Sequence, residues 1–139
     1  MKIVLDTNCL VVCLPVKSPY YCIWRAFRNM QITVCYTTDI IYEYGEILTR
    51  FYHQQFANNV INELLLSPNT VKVNSYYKWN LISDDPDDNK FVDCALNAGV
   101  HYLVTNDHHF NVLKSLEFPP IKIIDIMAFK DILNRNENV

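Results

Sequence analysis

Short apolar runs rich in β-branched residues alternate along this chain with longer segments whose apolar positions recur every three or four residues, the pattern of strands separated by helices. Lys2–Leu5 reads as a buried strand that runs into a turn at Asp6-Thr7-Asn8, and the apolar segment Cys9–Val16 closes near Pro15. Ser18-Pro19 predicts an N-cap with proline in the first helical position, and a helix to about Asn29 with Tyr20, Ile23, Trp24 and Phe27 on one stripe. Ile32–Tyr36 is a second strand, Thr38-Asp39 opens a helix to about Arg50, and another helix spans roughly His53–Leu66 before Ser67-Pro68-Asn69 stops it. Thr70–Val73, Tyr102–Thr105 and Ile121–Ile124 supply three more strands. Helices are expected over about Asp88–Ala98, ended by Gly99, over Phe110–Leu116, and after the last strand to near Asn134. Strands alternating with helices at this spacing predict an α/β fold: one domain over 1–139, a three-layer α/β/α arrangement around a parallel sheet.

Composition narrows the classes. At 139 residues and 50% apolar, the chain is long enough for a substantial core. A net charge of −3 argues against a broad nucleic-acid-coating surface but not against nucleic acid held locally at a metal site. Five cysteines, an odd number without CxxC spacing, suggest neither a disulfide framework nor a zinc knuckle, and each sits among apolar neighbours as a small hydrophobe would in a reducing cytosol. Asp6 follows the initiator too closely for a secretory leader, and no apolar run has the length of a membrane span, so a cytoplasmic protein without membrane attachment is expected.

The candidate chemistry lies in carboxylates. Asp6 and Asp107 each follow an apolar strand, so in a parallel sheet both emerge at the carboxyl edge, where open α/β sheets hold ligands. A turn explains either one alone; their shared placement favours a site. On the helix after Thr38, Glu43 lies roughly 100° from the centre of the apolar arc and Glu46 about 160°, so Glu43 flanks the core while Glu46 faces solvent. In Asp84-Asp85-Pro86-Asp87-Asp88, helix capping accounts for one aspartate but not for four in five positions. Asp93, opposite Phe91, Ala95 and Ala98 on its helix, is expected on a solvated face.

Converging carboxylates repel by about 4 kcal/mol per pair at 4 Å and an effective dielectric of 20, so they require a cation. His108 and His109 point apart on most backbones, and His53 and His101 are isolated, so ligation by oxygen alone is expected, which selects Mg2+ or Mn2+ over zinc. Such a site suits phosphodiester hydrolysis. With two glycines in the chain, a glycine-rich nucleotide cradle is excluded.

Four segments in order, Val4-Leu5-Asp6-Thr7-Asn8, Tyr42–Leu48, Asp85–Phe91 and Tyr102–Asp107, resemble the acidic motifs of the PIN-domain nucleases, and among them the toxin components of bacterial toxin-antitoxin systems (VapC-like). The resemblance implies a Mg2+- or Mn2+-dependent endoribonuclease whose acidic quartet is Asp6, Glu43, Asp88 and Asp107, supported by Thr7, Asn8 and Thr105. Asp85 and Asp93 are further candidates in the third block. It also implies an RNA substrate, a homodimer and a cognate antitoxin protein. The alternative is a catalytically inactive PIN-like binding module in an RNA-processing assembly.

Overall fold

A computed structural model describes residues 1–74, 78–79, 81–82, 88–115 and 121–137. Its elements are β1 (Lys2–Leu5), α1 (Thr7–Cys13), α2 (Tyr21–Arg28), β2 (Thr33–Tyr36), α3 (Thr38–Phe51), α4 (Gln54–Leu66), β3 (Thr70–Lys72), α5 (Asn89–Ala98), β4 (Tyr102–Val104), a 3-10 helix (His108–Ser115), β5 (Ile123–Ile124) and α6 (Ile126–Glu137). All five strands run parallel, in the order β3-β2-β1-β4-β5.

The order follows from which strands are wholly apolar. Ile3, Val4 and Leu5 are each 2% exposed or less, so β1 takes the centre, where both of its faces are covered. From β1 the chain steps outward through β2 to β3, then returns across β1 to β4 and β5. Because crossovers are right-handed, the reversal puts helices on both faces and completes the α/β/α layering. The reversal lies between β1 and β4, and at such a point the strand ends diverge and leave a crevice.

Three local readings change. Asp6-Thr7-Asn8 is not a separate turn: Asp6 is the N-cap of α1, its Oδ1 accepting from Thr7 N at 2.8 Å. Turn and cap use the same carboxylate-to-backbone bond, so the residue type could not separate them. Helix α2 begins at Tyr21, two residues beyond Pro19; Ser18 Oγ accepts from Tyr20 N at 3.1 Å and also donates to Val12 O, which ties it to the end of α1. Thr37, not Thr38, caps α3, its hydroxyl accepting from Ile40 N.

The apolar stripe of α2 is core: Ile23, Trp24 and Phe27 are buried, with the Trp24 and Phe27 rings 5.0 Å apart. Ile126, Phe129 and Leu133 bury one face of α6, and Phe129 meets the Tyr102 ring edge-on at 6.3 Å. Cys9, Cys13, Cys35 and Cys94 are buried free thiols; burial, helped by the Asp6 charge, pushes Cys9 up to about 12 and leaves it unreactive. Among the described residues no helix is long and apolar enough to cross a membrane.

Gly99 ends α5 as the sequence predicts, at φ 62°, with its N–H bonding the carbonyl of Leu96. An added Cβ meets no atom within 4 Å, so Gly99→Ala carries only the left-handed backbone penalty. The expected loss is about 1 kcal/mol in urea unfolding, with no change in slope.

Candidate functional site

The carboxylates assemble from the backbone of β1 outward. Asp6 N donates to Val104 O at 3.0 Å, which extends the β1–β4 ladder one residue past β1 and fixes where the side chain emerges. Its Oδ2 accepts from Thr105 Oγ1 at 2.7 Å, from the residue that follows β4. The Thr105 hydroxyl in turn accepts from Asp107 N at 3.1 Å, so one threonine joins the aspartates of the two strand ends. Asp6 is 8% exposed. Burial raises its carboxyl above the ordinary 3.8, bonds from Thr105 and Thr7 pull it down, and the charges of Glu43 and Asp107 push it up again.

Glu43 arrives from α3 on the flank of the buried face, while Glu46 is exposed and pairs with Arg50 at 2.8 Å, one turn along. Glu43 Oε2 accepts from Thr7 Oγ1, the first residue of α1, and Oε1 lies 2.8 Å from Lys90 Nζ of α5. Tyr44, fully buried beside it, donates its hydroxyl to Leu5 O at 2.5 Å and so locks α3 onto the end of β1. Burial raises the Tyr44 phenol well above its usual value, so it remains a proton donor.

Asp88 stands at the N-cap position of α5 yet makes no capping bond; its Oδ2 faces His109 Nδ1 at 3.4 Å. Asp107 Oδ1 accepts from His109 N at 2.9 Å and lies 3.3 Å from His109 Nδ1. One donor atom each from Asp88, Asp107 and His109 fall within 4.8 Å of one another. The structure thus groups Asp88, Asp107 and His109 closely; Thr105 links Asp107 to Asp6, and Thr7 links Asp6 to Glu43.

Asn8 lies exposed in the first turn of α1. Asp85 falls outside the described residues. Asp93 is buried rather than solvated, at 6% exposure, its Oδ1 accepting from Trp79 N at 2.9 Å; burial raises its carboxyl, partly offset by that bond. The expectation of a solvated face for Asp93 is thus corrected: Val92 and Cys94 beside it are buried as well, and Trp79, fourteen residues earlier in the chain, meets its carboxylate.

His109 is the residue that sequence reasoning missed. Neighbouring histidines diverge, and these two do: His109 turns to Asp88 and Asp107, while His108, with Asn111 and Lys114, lines a polar pocket of about 390 Å³ that Thr105 and Asp107 also border. Its only signal was its position two residues after Asp107. A larger groove of about 960 Å³, between α3 and α4, has none of the candidate acids in its lining.

The donor set fits a hard or borderline divalent cation: carboxylate oxygens predominate, one imidazole joins them, and no thiol lies among the clustered donors.

Comparison with solved structures bears on the fold. The VapBC2 complex of Rickettsia felis, bound to a promoter DNA fragment, matches with a TM-score of 0.62 at 14% identity, covering 90% of this chain and 98% of that one. DNA-bound VapBC of Salmonella typhimurium gives 0.58 at 16%, covering 91% and 98%. FitAB bound to an IR36 DNA fragment gives 0.55 at 10%, covering 89% and 94%. No curated protein matches the sequence significantly. The profile of the PIN domain matches residues 2–109, a span that runs from β1 to His109 and contains both strand ends and every acid discussed above. By that match the chain belongs to the PIN domain family, the nuclease family that its four acidic motifs resemble.

Proposed function

We propose that this protein is an endoribonuclease that hydrolyses RNA phosphodiester bonds with Mg2+ or Mn2+ held by Asp6, Glu43, Asp88 and Asp107. The observation that carries the reading is the linkage of Asp6 to Asp107 through Thr105 at the β1/β4 switch point, with Asp88 and Glu43 brought to the same edge by α5 and α3. A buried Asp6 whose charge is opposed by its surroundings is a group that gains from a cation.

When bound, the cation supplies Lewis acidity toward water and the scissile phosphate. The chain supplies orientation. Thr105 and the Thr7 N–H fix both oxygens of Asp6, and the Thr7 hydroxyl aims Glu43. Lys90 holds Glu43 from the opposite side and balances part of the negative charge at the edge. Asn8, exposed in the first turn of α1, is read as a supporting amide that orients ligands or water. The likeness to VapBC complexes, over nearly the full length of those chains, supports a toxin role with a cognate antitoxin partner, and a homodimer is part of the same reading.

Chelation tests it. EDTA is expected to remove RNA cleavage, Mg2+ or Mn2+ to restore it, and Ca2+ to fail, because its larger and looser coordination holds substrate geometry poorly. Cleavage undiminished after exhaustive chelation would overturn the metal-dependent reading. Metal binding without any cleavage would favour the inactive binding module instead.

A further inference from the structure

We infer that His109 is itself a ligand of the divalent cation, which makes the centre a mixed nitrogen–oxygen site that favours Mn2+ over Mg2+. The inference rests on the metal-dependent reading above. It starts from the ring's position: His109 N donates to Asp107 Oδ1 at 2.9 Å, a local turn that fixes the imidazole relative to that carboxylate. Nδ1 then lies 3.3 Å from Asp107 Oδ1 and 3.4 Å from Asp88 Oδ2. Charge-assisted hydrogen bonds normally close to about 2.7–2.9 Å. Octahedral ligands about 2.1 Å from one cation stand roughly 3 Å apart. Both separations from Nδ1 exceed such a hydrogen bond, and the three donor atoms lie within 4.8 Å of one another, close enough for one cation to draw them together.

Asp88 and Asp107 come from different elements, the start of α5 and the segment after β4, so the cluster is a product of the fold rather than of local sequence. An imidazole nitrogen changes selectivity. Mg2+ strongly prefers oxygen and sheds water reluctantly, whereas Mn2+ accepts nitrogen more readily, so replacing one carboxylate oxygen by Nδ1 penalises Mg2+ more.

The competing account is that His109 is only a counter-charge to the two aspartates. The two accounts predict opposite signs. Calorimetric titration of the whole protein with Mn2+ and with Mg2+, at about pH 8 where an ordinary imidazole is neutral, separates them. His109→Ala is expected to weaken Mn2+ binding about tenfold and Mg2+ binding much less. His109→Asp, which restores an oxygen donor, is expected to shift the preference toward Mg2+. Pulsed EPR of bound Mn2+ should show nitrogen modulation in the wild type that disappears in His109→Ala. The side chain is 45% exposed, so neither substitution threatens the core. Unchanged or tighter Mn2+ binding by His109→Ala overturns the inference. If Asp107→Asn then still abolishes binding, the acidic site stands and only the histidine assignment falls. If Asp107→Asn also leaves binding intact, the site reading falls with it.

Discussion

Asp6→Asn is expected to abolish most RNA cleavage while leaving the metal-free protein at least as stable as the wild type. On the proposed reading, removing the charge deletes a cation ligand at the switch-point crevice. Several kcal/mol of transition-state stabilisation then go, on the order of 10²-fold or more in rate. The fold survives because asparagine satisfies the same neighbours: Oδ1 can accept from Thr7 N, and Nδ2 can donate to the Thr105 hydroxyl, with that hydroxyl turning its proton elsewhere. The stability sign follows from linkage. Asp6 titrates above its unfolded value of 3.8, so its favourable contribution is complete only below that value and is lost as pH rises through the folded one. At neutral pH the ionised, buried carboxylate is a net cost, which Asn removes. Metal-free melting temperatures should therefore favour Asp6→Asn at pH 7, with the gap closing as pH falls toward about 4. Full cleavage by this variant in Mn2+ would end the catalytic assignment. Glu43→Gln, Asp88→Asn and Asp107→Asn should lose cleavage in the same assay, whereas Glu46→Gln, which pairs with Arg50 on the exposed face of α3, should not.

The largest stability loss is expected away from the site, at Asn69. Its buried Nδ2 donates to Phe27 O at 2.7 Å and Ile32 O at 2.8 Å, and its Oδ1 accepts from Ser67 Oγ. One amide thereby satisfies the Ile32 carbonyl on the approach to β2 and adds a second donor to Phe27 O at the end of α2, which Met30 N also meets at 3.1 Å. Asn69→Ala leaves the Ile32 carbonyl without its amide donor at about 1–3 kcal/mol and removes the second donor to Phe27 O, which keeps Met30 N, against the roughly 5–15 kcal/mol that holds a domain folded. Urea unfolding should show a lower midpoint with an unchanged slope. A loss below about 1 kcal/mol would mean that water replaces the amide there.

The strands and most helices were legible because the signals are local. A continuous apolar run such as Ile3-Val4-Leu5 suits only a strand covered on both faces, and a glycine after Ala98 marks a helix end whatever surrounds it. Glu43 was separable from Glu46 for the same reason, since a single helix fixes their angle to its own apolar stripe. Asp93 was not legible: helical phase gives the direction of a side chain but not what lies over it, and Trp79 covers it from outside the helix.

The sequence by itself therefore determined the five strands, the alternation with helices, the acids at the strand ends and the motifs of the PIN domain family. Only the tertiary structure decided what those acids meet. Thr105 reaches Asp6 across 99 residues, Lys90 meets Glu43 from another helix, and His109 closes on Asp88 and Asp107. Distances of that kind depend on strand order and helix placement, which the whole core fixes through packing. The periodicity of a segment carries its own faces; it carries nothing about which other segment those faces will oppose.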